Sequence, residues 1–120
     1  MKFVKNPIIL VFALVLLTSI TLVREFTQTG KASYYAAKFH GRKTASGQVY
    51  HKDSLTAAHK TLKFGTILKV TNLSNDSVVV VRINDRMGKS PHILDLSMAG
   101  AKQLNFVKNG VAKVKIEAIQ

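Results

Sequence analysis

Four consecutive valines, Val78 to Val81, followed by Arg82 and Ile83, commit the middle of this chain to a β-strand. β-Branched side chains lose χ1 freedom in a helix and pack well on a pleated surface. Apolar at consecutive positions, the run is expected to be buried on both faces at its start and therefore central. Ser74-Asn75-Asp76 precedes it, with short polar side chains that bond their own backbone in turns. Before that, Thr66 to Leu73 reads as a second strand, so the two form a hairpin. The valine run ends on Asn84-Asp85-Arg86, and ten residues later a shorter apolar segment, Ile93 to Leu96, carries Asp95. Only six acids stand against eighteen lysines and arginines. Two of them at the edges of neighbouring apolar segments are the first place to look for chemistry.

The rest of the domain reads as further short strands. Gly30 to Ala36 alternates small or polar residues with tyrosine, as a first strand does. Lys38 to Lys52 is a long loop holding Gly41 and Gly47, of a length that is usually functional or poorly ordered. Leu55 to His59 is a short apolar patch ending on a histidine. Ser97 can cap a helix from Met98 to about Leu104. After the Asn109-Gly110 turn, Val111 to Ile119 alternates Ala112, Val114, Ile116 and Ala118 with Lys113, Lys115 and Glu117. The expected class is mainly β, with about six strands and one or two short helices over residues 30–120. Such a domain, about 90 residues long, buries only about 60–65% of its unfolded surface. With no cysteine to form disulfides, closing the sheet into a barrel is an economical solution, because every strand edge is then paired.

Residues 1–29 differ in kind. Lys2 and Lys5 precede an apolar run from Ile8 to Val23, closed by Arg24-Glu25. That is the pattern of an export signal, or of an uncleaved anchor slightly short of the roughly 20 residues that span a bilayer. Thr27 and Thr29 make a poor small-x-small cleavage pair. In either case residues from about Gly30 onward are placed beyond the cytoplasmic membrane. The protein is expected in the periplasm or cell envelope, soluble after cleavage or tethered to the inner membrane by residues 8–23. Without a cysteine it is not a lipoprotein. The formal net charge is +12; residues 1–29 contribute three cations and one anion, which leaves +10 for the domain. Its basic residues are scattered singly and not interleaved with exposed aromatics, so anionic envelope polymers suit it better than nucleic acid.

Asp85, at the end of a buried strand, is either a shielded carboxyl able to exchange a proton or a turn-capping acid paired with Arg86 or Arg82. Asp95, flanked by apolar residues, is a second catalytic acid, a substrate ligand or an acceptor for loop amides. His59 is a catalytic partner or a satisfied hydrogen-bonding residue. His40, His51 and His92 lack metal-binding spacing, and no metal or cofactor is expected. Tyr34, Tyr35, Phe39 and Tyr50 either stack on sugar rings or belong to the core.

Several blocks occur in a telling order: Gly30-Lys31-Ala32-Ser33-Tyr34-Tyr35, Phe39-His40-Gly41-Arg42-Lys43-Thr44-Ala45-Ser46-Gly47, Thr56-Ala57-Ala58-His59, Val80-Val81-Arg82-Ile83-Asn84-Asp85-Arg86 and Asp95-Leu96-Ser97. Together they closely resemble the rare lipoprotein A family of septal-ring lytic transglycosylases. The resemblance covers nearly all of residues 30–119. It implies a six-stranded double-psi β-barrel, shared with expansins and barwin-like proteins. It also implies a substrate, the glycan strands of peptidoglycan, preferably stripped of stem peptides. The family's implicated histidine falls on His59 and its implicated aspartate on Asp85, with Asp95 retained as a second candidate acid. Where many members have Asp-Arg-Gly-Pro, this sequence has Asp85-Arg86-Met87-Gly88, and the carboxy-terminal peptidoglycan-binding repeat of some members is not expected here.

In the mechanism this resemblance implies, Asp85 acts as general acid and then as base, and His59 orients it or stabilises developing charge. Tyr34, Tyr35, Arg42, Thr44, Ser46, Asn84 and Arg86 line the glycan groove. The expected activity is endolytic cleavage of MurNAc–GlcNAc linkages to 1,6-anhydro ends, in wall remodelling and daughter-cell separation. Divisome or septal proteins would be further partners, with membrane contact only through the N-terminal segment. A non-catalytic glycan-binding or septal scaffold protein is the alternative, and a glycan hydrolase a third reading.

Overall fold

A computed structural model of the protein describes residues 25–120; the expected signal or anchor, Ile8 to Val23, lies outside them. Six strands form: β1 (Thr27–Tyr34), β2 (Thr56–His59), β3 (Ile67–Asn72), β4 (Val78–Arg86), β5 (Leu94–Leu96) and β6 (Ala112–Ala118). Among the described residues one short α-helix accompanies them, α1 (Met98–Gln103), together with a 3-10 turn at Ala37–Phe39. Ser97 caps α1 as expected, its hydroxyl accepting from the Gly100 N–H.

The strands close into a barrel in the order β1-β5-β2-β4-β3-β6. β1 runs parallel to β5 and β2 parallel to β4, while the other four ladders are antiparallel. Only β3 and β4 are neighbours in both sequence and barrel, which makes them the expected hairpin. Its turn holds Asp76 at φ 61, a left-handed conformation that aspartate tolerates. All other connections pass over a strand, giving the crossed topology of the double-psi barrel.

Three features depart from expectation, each for a physical reason. First, β1 begins at Thr27, ahead of the expected boundary at Gly30, and pairs with β6 from Thr27 opposite Glu117 onward. Its opening residues are polar and carry no apolar alternation to announce a strand. A cut after Thr29 would remove the first three of those pairs. Second, the valine run is not buried on both faces. Val79, Val81 and Ile83 are at most 3% exposed, whereas Val78 and Val80 are each 45% exposed. In this barrel the outer face of β4 meets solvent, and β-branched residues favour a strand on either face. Third, Leu55 to His59 is more than an apolar patch, since Thr56–His59 is a strand between β5 and β4.

The ladder between β2 and β4 also contains an irregularity that matters for chemistry. Ala57 pairs with Ile83, but Ala58 pairs with Asp85, so Asn84 is an extra residue in β4. A bulge of this kind reverses the parity of the strand beyond it. Ile83 faces the interior, and simple alternation would turn Asp85 the same way. The bulge places it instead with Ala58. Inside, the barrel is filled by apolar residues of all six strands together with Leu104 and Phe106 from the segment after α1.

Candidate active site

Four neighbouring strands, β1, β5, β2 and β4, line up one row of residues. Ser33 pairs with Asp95, Asp95 with Ala58, and Ala58 with Asp85. Laterally paired residues project to the same face of a sheet, so both acids stand on one outer face, two strand spacings or about 10 Å apart along the backbone. Leu94 and Leu96, on either side of Asp95, point the other way and are fully buried.

Asp85 is held by three donors. Its Oδ2 accepts from the Tyr35 hydroxyl at 2.5 Å, and its Oδ1 accepts the N–H groups of Ala45 and Arg86, each at 2.8 Å. Burial, the hydrogen bond to Asp85 and the negative charge there push the Tyr35 hydroxyl far above the usual phenol range, so it stays protonated and donating. None of the three donors is a guanidinium, and neither expected ion pair of Asp85 is made. Arg86 directs its Nη1 to the carbonyls of His59 at 3.1 Å and Leu62 at 2.6 Å, and its guanidinium lies over the Phe64 ring, 4.4 Å from the centroid. Asp95 accepts a hydrogen bond from the Ser33 hydroxyl.

The loop from Lys38 to Lys52 is folded into a narrow hairpin, not left irregular. Gly41 N–H donates to the Tyr50 carbonyl, Tyr50 N–H to Arg42, and Thr44 N–H to Gln48. Tyr50, 2% exposed, stacks on Tyr35 with centroids 4.3 Å apart. This stack anchors the loop so that the Ala45 N–H reaches Asp85. Tyr35 therefore supports the carboxyl with its hydroxyl and the loop with its ring.

The other expected site residues divide. Ser46 and Asn84, the latter preceding Asp85 on β4, line an open groove of about 350 Å³ together with Gln48, Phe64, Gly65, Arg82 and Ile83. Thr44 is buried and bonds Ser46 and the Gln48 carbonyl, which shapes the loop tip. Arg42 is exposed, with its guanidinium 5.3 Å from the centroid of the Phe39 ring. Tyr34 does not face the groove. It lies between Ser33 and Tyr35 on a pleated strand, so it turns inward, edge-on to Phe106, with its hydroxyl on the Val107 carbonyl at 2.7 Å. Arg86 likewise secures the 59–64 segment instead of presenting its guanidinium to a ligand.

His59 is brought beside Arg86 in the ladder, on the face opposite Asp85, and no hydrogen bond joins it to either acid. The expected direct contact with Asp85 is thus absent. Its Nδ1 accepts the N–H groups of Thr61 and Leu62, both at 3.1 Å, which leaves the proton on Nε2, 3.0 Å from Gln28 Oε1. Burial, then the charges of Arg86 and Lys60, lower its pKa below the ordinary 6.5. Between the two values the unfolded chain binds more protons than the fold, so stability falls as pH falls. The His59 contribution is complete above pH 6.5 and is lost as the pH drops through the folded value. Urea midpoints measured from pH 7.5 down to about 5 should therefore decline, and His59→Gln should flatten that decline.

Sequence reasoning missed Ser33, the Ala45 N–H, Ala58 and Gln28. Ser33 had a signal, since it shares a strand face with Tyr35 two residues on. The others depend on pairing between segments far apart in the chain.

A family model described as lytic transglycolase matches residues 27–116. The endolytic peptidoglycan transglycosylase RlpA of Neisseria meningitidis serogroup A is 51% identical over 98 residues, covering 81% of this chain and 41% of that protein. The chain thus spans less than half the length of that relative. Among solved structures, a Streptomyces papain inhibitor superposes with a TM-score of 0.65 at 20% identity, over 79% of this chain and 96% of that one. A Clavibacter michiganensis expansin gives 0.61 at 22% identity, over 79% and 51%. At those identities the likeness concerns the barrel alone.

Proposed function

The chain belongs to the lytic transglycolase family, and on that premise we propose that its barrel is an endolytic peptidoglycan transglycosylase acting on glycan strands stripped of their stem peptides. The observation that supports this most is the position of Asp85, oriented by Tyr35 and two backbone amides on the same face as Asp95 and directly after Asn84, which lines an open groove. Oδ1 already accepts two N–H groups, whereas Oδ2 accepts only the Tyr35 hydroxyl. One lone pair on Oδ2 therefore remains to carry the proton that is exchanged with substrate.

In the proposed reaction, Asp85 takes up a proton on the free Oδ2 lone pair and, as the carboxylic acid, gives it to the oxygen bridging MurNAc and GlcNAc. The bond from that oxygen to C1 breaks, and an oxocarbenium-like centre forms at C1. The Asp85 carboxylate then takes the proton of the muramyl C6 hydroxyl as O6 closes on C1. The products are a 1,6-anhydro end and a free GlcNAc hydroxyl; no water is consumed and Asp85 ends as the carboxylic acid again. Asp95, across Ala58 on the same face, adds negative charge that stabilises the cationic centre. His59, on the other face, keeps the end of β2 in register and acts only through the backbone. The net positive charge of the chain favours approach to an anionic wall polymer. This reading carries with it an extracytoplasmic place of work, a part in wall remodelling and daughter-cell separation, and septal proteins as partners.

The test is digestion of purified, peptide-stripped glycan strands. The expected products are fragments ending in 1,6-anhydroMurNAc. Reducing ends without anhydro sugar would identify a hydrolase, and pelleting with uncut strands a glycan-binding scaffold; either outcome overturns the proposal.

A further inference from the structure

We propose that the groove beside Asp85 is a carboxylate-reading subsite, in which Arg82 takes the free lactyl carboxylate of a muramic acid that has lost its stem peptide. This rests on the transglycosylase reading and adds a specificity-determining residue to it. The groove joins the candidate acid on two sides. Asn84 precedes Asp85 on β4, and Ser46 follows Ala45, whose N–H donates to the Asp85 carboxylate. The Ser46 N–H donates in turn to the Asn84 carbonyl at 3.3 Å, tying the two walls together. Arg82 stands three residues before Asp85 on the same strand, about 10 Å away. A glycan whose scissile oxygen meets Asp85 therefore has an adjoining sugar substituent within reach of Arg82.

The charge pattern of the groove is specific. Among the described residues no acid lines it, and Arg82 is its one formal charge. The Arg82 side chain is exposed, and its Nη2 meets the neutral Gln48 Oε1 at 3.5 Å, the outer limit of a hydrogen bond. Arg86, four residues on, shows the contrast, because its Nη1 serves two carbonyls and its plane covers Phe64. One guanidinium is thus spent on structure, and the other presents its fork to the groove.

The substrate supplies one matching anion. The hydroxyl and N-acetyl groups of the glycan are neutral, and a lactyl group bearing a stem peptide is a neutral amide. Removing the peptide leaves one carboxylate on each muramic acid. A guanidinium binds a carboxylate through two parallel N–H···O bonds and an amide far less well. Arg82 would accordingly distinguish stripped from unstripped strands by the charge at the lactyl position itself.

Two matched glycan oligomers test this, one with free lactyl carboxylates and one with the same groups converted to neutral methylamides. The wild-type protein should favour the carboxylate form by about tenfold or more in kcat/KM. Arg82→Gln should bring that ratio close to one, and Arg82→Lys should restore part of it. Lys113→Gln, which removes the same charge from the exposed side of β6, should keep the wild-type ratio. A wild-type protein without preference, or an Arg82→Gln protein that retains it, overturns the assignment. Binding of both oligomers to Asp85→Asn protein reads the same ratio without turnover. Preferential binding with no cleavage by wild type would refute the transglycosylase and sustain the subsite, whereas equal cleavage of both oligomers would do the reverse.

Discussion

Asp85→Asn is expected to lower the rate of 1,6-anhydro end formation by about 10²–10⁴-fold, with the barrel still folded. The substitution keeps the shape of the side chain. An amide oxygen can go on accepting the N–H groups of Ala45 and Arg86, so the loop and the end of β4 keep their tie. What disappears is the exchangeable proton opposite the Tyr35 hydroxyl. Release of anhydro fragments followed by mass spectrometry measures the loss, and an unchanged urea midpoint separates it from unfolding. Asp95→Asn is the necessary partner experiment, because both acids share one face. Undiminished product from Asp85→Asn, with loss in Asp95→Asn, would transfer the acid role to Asp95.

Phe106→Ala should give the largest loss of stability, about 3–5 kcal/mol, out of a total that for a small domain is about 5–15 kcal/mol. Phe106 is 1% exposed and the largest fully buried side chain in the molecule's described part. Its ring meets Tyr34 edge-on with centroids 5.7 Å apart. The strands of the core it packs into are fixed by the closed ladder, which limits how far the walls can collapse into the space the ring vacates. Urea unfolding of the two proteins should show a displaced midpoint with a similar slope. A difference below about 1 kcal/mol would mean that the interior repacks far more freely than a closed barrel permits.

The parts of this structure that were legible in the sequence are those governed by local pattern. The β3–β4 hairpin follows from β-branched residues around an Asn-Asp turn, β6 from its strict alternation, and the start of α1 from the Ser97 cap. Asp85 and Asp95 stood out as scarce acids at the ends of apolar runs, though nothing local told that they share a face. That depends on the extra residue Asn84, which alternation alone cannot reveal. Tyr34 and Tyr35 read alike as neighbouring aromatics, yet the pleat sends one to the core and the other to Asp85. His59 and Arg86 carry donors suited to chemistry, but Gln28 and the carbonyls of residues 59 and 62 claim them. Those partners belong to segments brought together only by the crossed strand order.

β1 finds both its neighbours, β5 and β6, in the closing third of the chain. β1, the first strand among the described residues, therefore has nothing to pair with until β5 has been made, and its longer ladder waits for β6. Contacts so distant in sequence must overcome the entropy of closing a long loop before they return any energy, which delays assembly. A ring of strands wired in this way can be completed only when its C-terminal member is available, so a chain cut before Ala112 is expected to leave β1 and β3 each short of one neighbour.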